Sequence, residues 1–194
     1  MENMPDPIVL CDANIFYSIL MTDLILSLGE VGLFRPRWTD EIHEEWIRSV
    51  LEDQPQRTRE ELERRRAFMD QAIGHDLIEN YERHIESLSL PDPDDRHVLA
   101  AAIEAGAEIL LTYNRRDFSE SVAAAYGISV LHPDAFLRRV ALEEAETVLS
   151  VIEGMRVKRK RPEMSQAQLL EKLARLSIPG FVGMLQDAGY GSHD

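Results

Sequence analysis

Four acidic residues stand where a single divalent cation could collect them: Asp12, Glu45, Asp95 and Asp117. Asp12 ends the apolar run Ile8-Val9-Leu10-Cys11, and Asp117 follows the run Ile109-Leu110-Leu111-Thr112 within Tyr113-Asn114-Arg115-Arg116-Asp117-Phe118. Asp95 opens an apolar helical stretch after Pro91-Asp92-Pro93-Asp94, and Glu45 lies on the helix that follows the second apolar segment. Gathered carboxylates repel unless a cation neutralises them. Oxygen-only ligands suit hard ions, so the expected cofactor is Mg²⁺, with Mn²⁺ as an acceptable substitute. Such an ion lowers the pKa of a bound water and neutralises charge on a phosphodiester. Zinc is disfavoured, because histidines 43, 75, 84, 97, 132 and 193 show no paired ligand spacing and Cys11 is the lone cysteine. Singly, each acid reads as a cap or turn residue, and Asp92-Pro93-Asp94 as a turn. Their coincidence at one sheet edge is the informative signal.

The elements that must position them follow from periodicity. Ile8–Cys11 reads as a strand, followed by a helix from about Asn14 through Leu28 that the Gly29–Gly32 region breaks. Leu33–Trp38 reads as a short strand that Pro36 confines to an edge, and Thr39 as the cap of the next helix. Residues 57–73 alternate charges densely, which fits a solvated helix held by pairs three or four residues apart better than a basic arm. From Asp94 a helix runs to Gly106; Ile109–Leu111 is a buried strand. Phe118–Tyr126 is a short helix, Ile128–Leu131 a strand and Pro133–Val140 a helix. Alternation at this spacing predicts an α/β fold, a three-layer sandwich with a mostly parallel sheet flanked by helices. In such a sheet ligands gather beyond the carboxyl ends of the strands, so all four acids can converge.

The chain has 194 residues and 44% hydrophobic composition, enough for one core with an appendage. We expect a domain over residues 1–141 and a C-terminal helical extension over 142–194. In the extension Ser165 caps an amphipathic helix and Pro179-Gly180 interrupts it. No apolar run is long enough to span a bilayer, no signal peptide is evident at the start, and the single cysteine suits a reducing interior, so a cytoplasmic location is expected. Net charge of −14 argues against indiscriminate nucleic-acid binding but leaves room for local basic contacts. The concentrated basic stretch is Arg156-Val157-Lys158-Arg159-Lys160-Arg161, which reads either as a linker or as an electrostatic handle.

The local contexts of the acids resemble the PIN domain, a family of metal-dependent ribonucleases, over roughly residues 8 to 140. Val9-Leu10-Cys11-Asp12-Ala13-Asn14 is similar to the family's opening strand. Thr39–Trp46 resembles the segment in which a Ser or Thr precedes the second acid by six residues, which selects Glu45 over Glu44. Asp95-Arg96-His97-Val98-Leu99-Ala100 resembles the third motif and Leu111–Phe118 the fourth. Size and layout resemble the VapC-type toxins of bacterial toxin–antitoxin pairs, and the segment after 142 resembles an extra helical region carried by one subgroup. The resemblance implies a Mg²⁺-dependent endoribonuclease, a cognate antitoxin protein as partner, and a dimer. Asp12, Glu45, Asp95 and Asp117 would be the catalytic acids and metal ligands, with Asn14, Thr112 and Asn114 in support. Arg96, Arg115, Arg116, Lys158, Arg159 and Lys160 are the candidate RNA contacts. Two alternatives stay open: an α/β phosphatase, for which Asn14 stands where a second carboxylate is needed, and a PIN-like scaffold that binds RNA or a partner without cutting.

Overall fold

The computed structural model describes residues 6–159 and 162–192. Two compact units emerge, one from the chain up to Tyr17 together with Phe34–His132, the other from Ser18–Leu33 together with the chain from Pro133 onward.

The first unit is built on four parallel strands, β1 (Ile8–Cys11), β2 (Arg35–Arg37), β3 (Ile109–Leu111) and β4 (Ser129–Leu131), in the order β2-β1-β3-β4. Val9 pairs with Pro36 on one side and Ile109 on the other. Central strands of a parallel sheet are covered on both faces and so read as unbroken apolar runs; Val9, Leu10, Cys11, Leu110 and Leu111 are fully buried. Pro36 is tolerated because β2 lies at the edge, where a missing N–H breaks no ladder. β1 connects to β2 on one side and lies beside β3 on the other, so the carboxyl ends of β1 and β3 flank a switch point, where α/β sheets place their ligands.

The expected single helix from Asn14 to Leu28 is two helices, α1 (Ala13–Phe16) in the first unit and α2 (Ile19–Glu30) in the second. The break falls at Ser18, whose backbone is extended and whose hydroxyl accepts from the Met21 N–H. Apolar spacing alone does not reveal such a cap. Thr39 caps α3 (Asp40–Asp53) as expected, accepting from Ile42 N–H at 3.1 Å.

α4 (Arg59–Ala72) opens with a capping box between Thr58 and Glu61. Its arginines are spent inside the unit: Arg66 bridges Asp40 and Glu44 of α3, Arg59 reaches Glu44, and Arg65 lies over the Trp46 ring. Beneath them Asp70 accepts from the Trp38 indole at 3.0 Å and contacts His43 Nε2 at 2.8 Å, while Trp46 donates to His43 Nδ1. An indole can only donate, so His43 is neutral with its proton on Nε2. The solvated charge-paired helix therefore holds, with pairs to a neighbouring helix that local spacing does not show.

After α5 (Glu82–Ile85) a 3₁₀ turn, Pro93–Asp95, leads into α6 (Arg96–Glu104). A second 3₁₀ turn, Arg115–Asp117, precedes α7 (Glu120–Ala124), which is shorter than the expected Phe118–Tyr126. Gly127 ends it at φ +74°, a conformation costly for any residue with a Cβ.

The second unit comprises α2, α8 (Pro133–Glu143), α9 (Ala145–Lys158), α10 (Gln166–Ala174) and α11 (Pro179–Asp187). Ser165 and Gln168 form the capping box of α10. Pro179 does not merely interrupt a helix: it is the first residue of α11, where its fixed φ is preorganised and its missing N–H costs nothing. Asp134 of α8 accepts from the Phe181 N–H at 2.9 Å, and a Cβ on Gly180 would come within 2.6 Å of Arg138. Glu153 binds Arg156, Gln166 and Tyr190 at once.

Candidate active site

Asp12 follows β1 and caps α1, so its carboxylate is held by backbone geometry before any ligand arrives. Oδ1 accepts from the Ala13 N–H at 2.6 Å; Oδ2 accepts from Asn14 Nδ2 at 2.6 Å and from the Thr112 hydroxyl at 2.7 Å. Thr112, placed at the end of β3 beside β1, also accepts from Asn14 Nδ2 and from the Asn114 N–H. Every valence of its hydroxyl is therefore used. Asn14 Oδ1 closes the ring by accepting from the Tyr113 N–H at 3.1 Å. Asn14 and Thr112 thus hold Asp12 directly, whereas Asn114 contributes its backbone N–H rather than its side chain.

Asp12 is 6% exposed, and its pKa is raised, chiefly by burial, with the Thr112 and Ala13 hydrogen bonds opposing and the charge of Glu45 adding to it. Asp95, at the start of α6, makes no capping hydrogen bond with its side chain. Burial, then the charges of Asp12, Asp117 and Asp92, push its pKa up to about 7. Asp117 ends the 3₁₀ turn after β3 and is half-buried. Glu45 acts on Asp12, and Asp12 and Asp117 act on Asp95, so charge links the four acids through Asp12 and Asp95.

The residue that the motif reading left without a role is His97. It is 6% exposed on the first turn of α6, and its Nε2 lies 3.0 Å from Glu45 Oε1. Burial opposes charge on the ring, but the Glu45 hydrogen bond and the charges of Glu45, Glu41 and Asp12 outweigh it and raise its pKa. A buried histidine two residues after a candidate ligand was a usable signal; the absence of a second histidine at ligand spacing hid it.

The arginines divide. Arg96 donates to the Pro93 carbonyl at 2.9 Å, a local tie, and Arg115 pairs with Glu120. With exposed Arg116 and Asn114, Arg115 lines an open depression that also includes Asp117. Lys158 and Arg159 belong to the second unit, where Lys158 is exposed and Arg159 pairs with Asp23 at 3.0 Å. Lys160 lies outside the described residues. Cys11 is buried with its thiol pKa raised by burial and by Asp12, which makes it a packing residue.

Among the described residues no three His, Cys, Asp or Glu side chains stand close enough around one point to form a ready coordination sphere. The donor chemistry nevertheless fits a hard cation. Three of the four lone-pair positions of the Asp12 carboxylate are taken, and the one remaining, on Oδ1, accepts no hydrogen bond among the described residues. Asp95 has its pKa raised by burial and then by neighbouring negative charge, and the second of these is the condition that a bound cation relieves.

A parallel sheet with Asp12 buried at its switch point, gripped by a Thr and an Asn, and with Glu45, Asp95 and Asp117 half-buried, defines an α/β protein with an acidic site at the strand ends. The chain belongs to the PIN domain family, whose model matches residues 8–116, ending one residue before Asp117. Residues 133–187 match the model of the VapC50 C-terminal domain. A curated relative from Mycobacterium tuberculosis (strain ATCC 25618 / H37Rv), named "Putative ribonuclease VapC50", is 37% identical over 111 residues, which is 57% of this chain and 60% of the relative. The match therefore covers less than two thirds of that relative's length. The expected resemblance to VapC-type PIN proteins is borne out by the PIN match, the VapC50 C-terminal match and this relative together. No solved structure matches. Among the described residues no helix is long and apolar enough to cross a membrane.

Proposed function

We propose that the protein is a divalent-metal-dependent endoribonuclease, the toxin of a type II toxin–antitoxin pair, with RNA as substrate and Mg²⁺ as the working cation. The observation that carries this reading is the buried Asp12 with the half-buried acids whose charges raise its pKa and that of Asp95, in a chain of the PIN family. Asp12, Glu45, Asp95 and Asp117 would hold the ion. When bound, it supplies an acidified water and charge neutralisation at the scissile phosphate.

The chain's own residues do the remaining work. Thr112 and Asn14 hold the Asp12 carboxylate in one rotamer, leaving Oδ1 presented. Asp95, whose pKa is raised in the metal-free chain, would hold the cation in its ionised form. Arg96, Arg115 and Arg116 border the acids and would bind flanking phosphates of a single strand, with Lys158, Arg159 and Lys160 as a further electrostatic strip. The catalytic work falls to residues 1–141, and the extension 142–194 serves association, either with a second copy in a dimer or with a cognate antitoxin. A cytoplasmic setting suits this chemistry.

The test is incubation of the full chain with an end-labelled single-stranded RNA under Mg²⁺, Mn²⁺ or chelator. Internal cleavage that needs the metal and stops on chelation is expected. Metal-independent cleavage, or intact RNA across several sequences at millimolar Mg²⁺, would overturn the reading.

A further inference from the structure

Glu41 and Glu45 rise one turn apart on the same face of α3, an arrangement in which like charges repel. Both meet a single imidazole. His97 Nε2 is 3.0 Å from Glu45 Oε1, and Nδ1 is 3.5 Å from Glu41 Oε2. Among the described residues His97 Nδ1 is the buried side-chain polar atom left without a hydrogen bond. Glu41 is itself anchored by the Tyr81 hydroxyl, which donates to Oε2 at 2.9 Å. Ionised carboxylates only accept, so the Glu45 contact requires a proton on Nε2.

Position on the fold gives the contact its meaning. His97 lies two residues past Asp95, on the first turn of the helix that Asp95 opens. The imidazole thus ties α3, which bears Glu45, to the segment that bears Asp95. Glu45 Oε1 is occupied by the ring, while Oε2 carries no hydrogen bond among the described residues. A free glutamate has several rotamers to lose on binding an ion, and fixing it beforehand lowers that cost.

We propose that His97 is a positioning residue for the metal site, holding the Glu45 carboxylate through Nε2–H so that Oε2 is left to take the ion. The assignment rests on the metal-nuclease reading above. Glu41, held by Tyr81, stands 3.5 Å from the other ring nitrogen, so its carboxylate lies on the far side of the ring from Glu45.

The test compares the full chain with His97→Leu, His97→Gln, His97→Asn, Glu45→Gln and the Glu45→Gln/His97→Leu double variant. The first measurement is Mn²⁺ affinity by calorimetry without RNA. Loss of the donor in His97→Leu should weaken Mn²⁺ binding on the order of 10- to 100-fold, the range for a lost outer partner of a ligand. His97→Gln, whose amide can donate from near the Nε2 position, should recover most of it. His97→Asn, whose amide does not reach Glu45, should not, and it supplies the same contrast if the leucine variant fails to fold. The double variant should bind no more weakly than Glu45→Gln alone, because both changes remove one interaction. In the metal-free protein, nitrogen-15 spectra should show an exchange-protected Nε2–H that shifts in Glu45→Gln. Parent-like Mn²⁺ affinity in His97→Leu or His97→Asn, equal losses in Gln and Asn, or additive losses in the double variant would overturn the assignment. A parent that binds Mn²⁺ but leaves RNA intact overturns the nuclease reading and leaves this one to the affinity contrast. A parent that binds no Mn²⁺ overturns both.

Discussion

Two carboxylate centres, one in each unit, are built to opposite rules. Glu153 in the second unit is saturated with donors: Arg156 contacts both its oxygens, and Gln166 and Tyr190 add two more bonds. The Arg156 hydrogen bond leads in driving its pKa down to about 2. Asp95 in the first unit has no capping bond, and burial together with three acidic neighbours drives its pKa up to about 7. A carboxylate whose charge is answered within the fold is a joint. One whose charge is left unanswered costs stability and marks a place where something cationic belongs.

The sharpest way to break this contrast is to neutralise each centre and measure cleavage. Asp12→Asn and Asp95→Asn should each lower RNA cleavage on the order of a hundredfold or more, as expected when a group stabilising the transition state is lost. Glu153→Gln should leave it close to the parent rate. Near-parental cleavage by a folded Asp95→Asn would put the working acids elsewhere. The two asparagines should differ in stability as well. The new amide of Asp12→Asn would face the donors of Ala13, Asn14 and Thr112, whereas Asp95→Asn removes a charge that burial and repulsion both disfavour.

Stability against pH should separate the centres by sign. Asp95 titrates higher in the folded, metal-free chain than in the unfolded one. Its neutral form therefore contributes stability that is whole below about pH 4, and that contribution is lost as pH rises towards about 7. Glu153 runs the other way, contributing above its ordinary value and losing that contribution as pH falls towards about 2. Asp95→Asn should flatten the loss between pH 4 and 7 and raise the metal-free melting temperature, while Glu153→Gln should lower it, each by about 2–4 °C. Thermal melts at several pH values read both; equal signs would dissolve the distinction.

A smaller effect is expected from the cation itself. Millimolar Mn²⁺ or Mg²⁺ should raise the melting temperature by about 2 °C or more through linkage, with the gain reduced in Glu45→Gln and Asp117→Asn. Glu153→Gln should keep the full gain. The smallest change concerns the basic stretch. Replacing Lys158, Arg159 and Lys160 with Gln should flatten the salt dependence of RNA binding by roughly 0.7 for each phosphate no longer neutralised. Arg159 already pairs with Asp23, so part of its charge is answered within the unit. Filter binding across a salt series that returned the parent slope would remove the stretch from the RNA path.

Much of the architecture was legible along the chain because the signals are local. The apolar runs at Ile8–Cys11 and Ile109–Leu111 can be satisfied only in covered central strands, and Pro36 can sit only at an edge. Thr39 and Ser165 announced helix starts through hydroxyls that act on N–H groups three residues away. Asp12 and Asp95 were readable as sheet-edge acids from their place after or before an apolar element.

Tertiary structure alone decided the rest, because each remaining feature joins residues distant in sequence. Thr112 finds Asp12 across 100 positions since β3 pairs with β1, a register no local pattern encodes. Ser18 divides a continuous apolar pattern because its backbone turns extended where the chain passes from one unit to the other. His97 meets Glu45 and Glu41 across more than fifty residues, and nothing near position 97 announces those partners. Residue types and short-range periodicity determined which acids could serve. Strand pairing and helix packing determined which of them are answered within the fold, since charge acts through distance in space and not along the chain.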